Sequence, residues 1–375
     1  MQSAFIIGVT EWFLTGMQEC CAASGIGIYK SLSRHPAPSE LFQLLSVFSP
    51  EIVFLEVTYS RRELELLREI QTCYPKIATI GFGEPSDLPL PAGVHQYLAA
   101  PFSPEAFQRA LRAAAEFQKA AIPDNIFAFV PAKAGSGATT LALCVSRYLA
   151  QRCQKRVLLV EADVHSGPIS FLLDLKPEQS IVDALENCHR LDDTSWQRLV
   201  TKTDGFDLLP APPAIQTGHL MQWSCRRLLT YVRTRYDAVL VDLPEVVNDA
   251  TEAMVTECRR VHVICTPEKA SVLLARRRIY ELAARGAKAH QLALVLNRQA
   301  SDNGAAEQIE QLLGRQAALV VPNDYPAAQQ VVRSPGPIEE LSRFGRAISS
   351  LARTIGGLPI PLERSRTPWF RRLSA

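Results

Sequence analysis

The sequence predicts an α/β chain of two domains, each a mostly parallel sheet wrapped by helices, followed by a short tail. Three observations carry this reading. Through the first third, short apolar β-branched runs alternate with amphipathic segments. Beyond residue 125 the apolar runs become near-continuous, as strands buried on both faces require. After the first of these runs, a turn of small residues leads into a helix, a place where backbone N–H groups can converge on an anion.

Composition bounds the function. At 375 residues and 47% hydrophobic content the chain can bury large cores, which excludes disordered, collagen-like and coiled-coil classes. Forty Lys and Arg against 38 Asp and Glu leave +2, too near neutrality for the whole chain to act as a polyelectrolyte binder. The nine Cys include no Cys-x-x-Cys and read as reduced, core-filling thiols. No uncharged apolar run reaches the about 20 residues of a spanning helix, and the N-terminus lacks a positive segment. A cytoplasmic protein is expected.

Taken in order, the first domain (1–121) has candidate strands at 5–9, 52–57, 77–81 and 96–98. Ser103-Pro104-Glu105 supplies a cap, a proline at the first helical position and an acid in the first turn, opening a helix with Phe107, Leu111 and Ala114 on one face. Pro123-Asp124-Asn125 is a linker. The second domain (122–357) has candidate strands at 126–130, 157–160, 238–241, 261–265, 292–296 and 318–321. In the tail (358–375), Pro359, Pro361, Pro368 and a run of Arg accompany the single acid Glu363.

Residues 131–140, Pro-Ala-Lys-Ala-Gly-Ser-Gly-Ala-Thr-Thr, look like a phosphate loop. The ordinary pattern Gly-x-x-x-x-Gly-Lys-Ser/Thr is not met: Ala132 replaces its first Gly and Ala138 its Lys, while Gly137 and Thr139 fit. A deviant form, Lys-Gly-Gly-x-Gly-Lys-Thr-Thr, fits better, with Lys133, Gly135, Gly137, Thr139 and Thr140 in place and Ala134 and Ala138 departing. Such a turn can also be a bare connection. Two later strands end in acids, at Asp163 and Asp242, where a metal-organising or water-orienting carboxylate belongs; either could equally be a helix cap. Asn297-Arg298 ends a further strand in an amide able to read an adenine edge, and Pro322-Asn323 could close over a base.

These pieces resemble the MinD/ParA branch of deviant P-loop ATPases over residues 125–358, and within it the CpaE/TadZ proteins of Tad (Flp) pilus assembly. The resemblance rests on the 133–140 loop, Glu161-Ala162-Asp163 with Gly167, Leu191-Asp192-Asp193 and Leu208-Leu209-Pro210-Ala211-Pro212. It also includes residues 237–244, Asn297-Arg298, and Pro322-Asn323-Asp324-Tyr325 through Gly336-Pro337. It implies ATP and Mg²⁺ as cofactors, with Gly135, Ser136, Gly137 and the Ala138 N–H at the phosphates. Thr139 would hold the metal, Asp242 would stand behind it, Asp163 would orient water, Asn297 would bond adenine, and Lys133 would act across a homodimer. Loss of the lysine charge at Ala138 favours binding over turnover.

The first domain is similar in topology to a response-regulator receiver, hence flavodoxin-like, but its chemistry is missing. One acid, Glu11, follows the first strand; Glu56 replaces the phosphoacceptor Asp; Gly81 follows the fourth-strand region; and Ala100 precedes Pro101. Glu56 reads as a solvated edge or a loop hydrogen-bond acceptor before it reads as a phosphate mimic. The resemblance implies a localisation and assembly factor for a pilus or secretion machine, with a secretion ATPase among its partners, placed at a pole or at the inner-membrane periphery. Trp369, Phe370, Arg371 and Arg372 suggest at best a weak membrane contact, with a solvated tail or a protein-binding tag as equal readings. Arg226, Arg227, Arg233, Arg235 and Arg276-Arg277-Arg278 are the candidate basic surface for nucleic acid, which is not the expected partner. An active partitioning or positioning ATPase and a nucleotide-free scaffold are the rival readings.

Overall fold

The computed structural model describes residues 3–359 except 49, 75–76, 121–122, 214–220, 301–302, 334–335 and 337. The predicted aromatic and arginine tail therefore lies outside the described residues.

Five strands form the first sheet: β1 (Ser3–Ile7), β2 (Gly27–Leu32), β3 (Ile52–Glu56), β4 (Ala78–Gly83) and β5 (Gln96–Ala99). All pair in parallel in the order β2-β1-β3-β4-β5, the flavodoxin-like doubly wound arrangement. β2 escapes sequence detection because it is an edge: Tyr29 and Lys30 are exposed and no apolar run marks it. Between β4 and β5 the chain forms no helix, since Pro85, Pro89 and Pro91 interrupt any helical ladder. One core layer holds Phe54, Phe82, Phe107 and Ala114 against the helices Glu11–Ala23 and Pro104–Ala120; the other holds Phe5, Leu41, Leu66 and Ile70.

The second sheet has eight strands: β6 (Ile126–Pro131), β7 (Val157–Glu161), β8 (Thr201–Lys202), β9 (Asp207–Leu209), β10 (Ala238–Asp242), β11 (Arg260–Cys265), β12 (Leu292–Gln299) and β13 (Ala317–Pro322). Their order is β13-β12-β11-β6-β10-β7-β9-β8, parallel except for the β8–β9 pair. That short hairpin, of 2 and 3 residues, is too brief to leave a sequence pattern. Strand order reverses at β6, so the crevice beyond its carboxyl end is the place for a ligand. The helix Ala138–Gln151 that follows is buried along nearly its whole length, packed on the sheet and under the helices Tyr325–Arg333 and Arg343–Ile355.

The two units touch through the helices Arg61–Cys73 and Gln222–Arg233, where Glu69 meets Arg227 at 3.6 Å, and Phe42 of the helix Pro38–Phe48 lies with its ring 6.5 Å from that of Trp223. Much of the candidate basic surface is used in packing. Arg226 and Arg233 are buried on Glu257 at 2.8 and 3.0 Å, and Arg235 bonds Asp193 while covering the Tyr231 ring. Arg276 and Arg277 stay exposed. Among the described residues, no helix is long and apolar enough to cross a membrane.

Candidate nucleotide-binding site

The site grows from the end of β6. The strand is buried through Val130, and the chain then turns through small residues, with Gly135 at φ +79° and Gly137 at φ +95°. Both angles lie where residues with a Cβ are strained. A Cβ on Gly135 would face open space, whereas one on Gly137 would stand 2.4 Å from Asn297 Nδ2. Gly137 is the residue preceding the first turn of the helix, so the Ala138, Thr139 and Thr140 N–H groups lie at a helix N-terminus with its partial positive charge. The loop already accepts an anion of its own: the Ala134 N–H donates to Glu245 Oε2 at 2.8 Å. Lys133 is half-buried at the loop's start, and its carbonyl accepts from the Ser136 N–H at 3.1 Å.

Two buried polar atoms here lack a hydrogen-bond partner, Ser136 Oγ in the loop and Asp242 Oδ1 at the end of β10. Buried polar groups are rarely left so without a reason. The Thr139 side chain lies near enough to the Asp242 carboxyl to favour its charged form. Burial pushes Asp242 up to about 8, and the neighbouring Glu161 and Asp163 carboxylates add to the shift against the pull of Thr139. A hydroxyl beside a buried carboxyl oxygen with an open valence suits a hard divalent cation that takes its remaining oxygens from phosphate and water. Among the described residues no three His, Cys, Asp or Glu side chains gather as a full metal cage, as that mode of binding requires none. Thr139 and Asp242 thus fit Mg²⁺.

Asp163, at the exit of β7, has its carboxylate occupied locally: Oδ1 accepts from the Ser166 N–H at 3.0 Å and the His165 N–H at 3.2 Å, and Oδ2 from the Ser166 hydroxyl at 2.8 Å. It caps its own turn while lending charge to Asp242. Glu161, fully buried, holds the Ile169 N–H at 2.6 Å and the Ala211 N–H at 2.9 Å, and burial raises its carboxyl above the usual range. A Cβ on Gly167 would fall 2.6 Å from Glu161 Cδ, so the turn closes over Glu161 only with glycine there.

Beside the loop opens a cavity of about 400 Å³. Gly137, Thr140, Asn297, Arg298, Pro322 and Asn323 line it together, although they come from three separate strand ends. Phe171 and Tyr325, both largely exposed, stand at the same cavity. Asn297 does more than face it: Nδ2 donates to the Ser136 carbonyl at 2.8 Å, tying β12 to the phosphate loop. Sequence reasoning assigned no role to Glu245, Glu268 or Phe171. Glu245 could have been found three residues after Asp242 on the same loop; Phe171 and Glu268 carry no pattern of their own.

No protein-family model matches the chain. It is 34% identical over 121 residues to the chromosome-partitioning ATPase Soj of Thermus thermophilus, covering 32% of this chain and 45% of that protein. It is 27% identical over 169 residues to a putative replication protein A of Sinorhizobium fredii, covering 40% and 41%. The chain thus spans less than half the length of these curated relatives. Among solved structures, a ParA family ATPase from Chlorobium tepidum superposes with a TM-score of 0.54 at 20% identity, over 61% of this chain and 97% of that one. A chain of the MinC:MinD cell division protein complex of Aquifex aeolicus gives 0.52 at 22% over 64% and 99%, and MinD complexed with Mg-ADP from Pyrococcus horikoshii gives 0.51 at 18% over 62% and 95%. That share fits the eight-stranded unit, which has the ParA/MinD P-loop ATPase fold.

Proposed function

We propose that this chain is an ATP-binding dimeric switch with slow or no hydrolysis, serving as a localisation and assembly factor in a Tad (Flp) pilus or secretion machine. The observation that carries the nucleotide reading is the cavity of about 400 Å³ running into a phosphate loop beside two partnerless buried oxygens, Ser136 Oγ and Asp242 Oδ1. Soj of Thermus thermophilus is an ATPase by name, and MinD of Pyrococcus horikoshii was solved with Mg-ADP. The phosphates take the N–H groups from Gly135 to Thr140, and the base takes the cavity between Asn297, Pro322 and Asn323. Mg²⁺, when bound by Thr139 with Asp242 behind it, supplies charge neutralisation at the phosphates. Backbone donors survive the substitution at Ala138, but the side-chain cation that would meet developing transition-state charge does not. Asp163 must leave its Ser166 cap to orient a water, which further slows turnover. Lys133, at the outer end of the loop, acts across the dimer.

The pilus role draws on the resemblance to CpaE/TadZ proteins and on a flavodoxin-like unit whose acid, Glu56, is occupied by its own backbone. That unit is left with binding as its work, and a secretion ATPase is the expected partner, with membrane contact through the tail. Calorimetry with ATP and Mg²⁺, followed by light scattering with and without nucleotide, tests the switch on the full chain and on Lys133→Ala. Micromolar binding, with nucleotide-dependent dimerisation lost in the variant, is the expected result. An unchanged mass and no heat would leave a scaffold; rapid turnover stimulated by DNA or lipid would favour a positioning ATPase instead.

A further inference from the structure

The loop lacks the usual lysine at position 138, and the end of β12 carries a cation built into an unusual corner. Leu296 pairs with Val320 and Gln299 with Pro322, so β12 takes three steps against two in β13, and Asn297-Arg298 form a bulge. Bulges beside binding sites re-aim side chains. Arg298 has φ +57°, a left-handed conformation uncommon for residues with a Cβ. The Asn297 side chain holds it there: Oδ1 accepts the Arg298 N–H at 3.0 Å while Nδ2 donates to the Ser136 carbonyl at 2.8 Å. One amide therefore fixes the corner and the phosphate loop relative to each other. Gly137 permits this approach, since a Cβ would collide with the same Nδ2 at 2.4 Å.

Arg298 is exposed and lines the cavity with Gly137 and Thr140. The Glu268 carboxyl bonds the Thr266 hydroxyl, which holds it below its usual range, and it feels the charges of Lys133 and Arg298 as well. We propose that the Asn297-Arg298 corner is a positioning device that delivers the Arg298 guanidinium to the nucleotide's phosphate chain, in place of the lysine absent at Ala138. Asn297 acts through the loop and through Arg298, beyond any contact with the base. This rests on the nucleotide reading above. Guanidinium suits the task because its fork meets phosphate oxygens in pairs.

The test is calorimetry on the full chain with ATP and with AMP, each with Mg²⁺, for the unmodified protein, Arg298→Ala, Arg298→Lys and Arg298→Gly. Arg298→Gly accepts the left-handed backbone without strain and removes only the side chain, so it keeps the test sound if Arg298→Ala folds poorly. The expected result is a loss of about tenfold or more in ATP affinity with Arg298→Ala and Arg298→Gly. AMP affinity should move less than about threefold, and Arg298→Lys, which keeps the charge but loses the paired fork, should recover only part of the ATP affinity. Equal weakening of ATP and AMP would overturn the proposal and make Arg298 a base-side contact; unchanged ATP affinity would overturn it outright. An unmodified chain that binds neither overturns the nucleotide reading itself, a result distinct from both.

Discussion

Glu56 and Asp242 occupy matching places, each a buried acid at the carboxyl end of a central parallel strand in its own sheet. Their partners differ. Glu56 Oε2 accepts the Val9 N–H at 2.6 Å and the Thr10 N–H at 2.9 Å, and Oε1 accepts the Thr10 hydroxyl at 2.5 Å. Asp242 keeps one buried oxygen without a partner, with the Thr139 side chain in its neighbourhood. The first acid is consumed in closing a loop over its sheet; the second keeps a buried oxygen unbonded near the phosphate loop. In parallel α/β units the crevice is given by topology, but whether it is a site depends on whether its polar atoms are already satisfied.

The largest effect that would sharpen this contrast is on pH dependence. An unfolded Asp releases its proton near 3.8, whereas Asp242 in the fold holds it to about 8. Between those values the folded state binds more protons, so stability must fall as pH rises from about 4 to 8, by roughly 5 kcal/mol at the upper bound. Urea unfolding at pH 5 and pH 8 should show that slope in the free chain. Asp242→Asn should remove most of it, leaving the smaller slope of the same sign from Glu161, and should be the more stable protein at pH 8. Parallel pH curves for the two proteins would mean that Asp242 is not held protonated.

Replacing Glu56 should destabilise, where Asp242→Asn stabilises. Glu56→Ala strands two backbone donors and a hydroxyl and should cost about 2–4 kcal/mol of stability without weakening nucleotide binding in the other unit. Stability loss by thermal melting, set beside unchanged calorimetric affinity, is the expected pair of results. If Glu56→Ala instead leaves melting untouched, the acid is not closing its loop and the contrast with Asp242 breaks.

How legible each acid is in sequence follows the same logic. Both were found, because each ends a strongly apolar strand. Burial and partner count were not legible, since Val9 and Thr10 lie far from Glu56 in the chain and reach it only through the sheet register. The central strands of both sheets were read from their apolar runs, while β2 and the β8–β9 hairpin were missed, one being a polar edge and the other too short for any periodicity. The loop at 133–140 was legible from its glycines. That Asn297 grips Ser136 was not, because 161 residues separate them and an amide at a strand end carries no mark of which carbonyl it will meet.

Gly137 tests whether that grip matters. Gly137→Ala places a Cβ 2.4 Å from Asn297 Nδ2 on a backbone at φ +95°. A loss of about 1–2 kcal/mol is expected from the backbone alone, with nucleotide affinity falling further as the loop is pushed off Asn297. Gly135→Ala is the control: its Cβ meets nothing within 4 Å, so its cost should be the conformational part only. Equal effects of the two on affinity would show that the Asn297 contact does not shape the loop.

The smallest effect lies where the two units meet. Glu69 and Arg227 approach to 3.6 Å with side chains 43% and 17% exposed, so solvent screens the pair. A double-mutant cycle with Glu69→Ala and Arg227→Ala should give a coupling of roughly 0.2–1 kcal/mol. Arg227→Ala alone should cost more than Glu69→Ala, because the guanidinium also donates to the Cys188 carbonyl at 2.9 Å. Glu69→Ala should therefore leave both the Glu56 melting signature and the Asp242 pH slope in place. A coupling well above that range, or a shift of the Asp242 slope on changing Glu69, would mean that the closed unit and the open site are joined through this helix pair, and that the flavodoxin-like unit reports directly on the cavity.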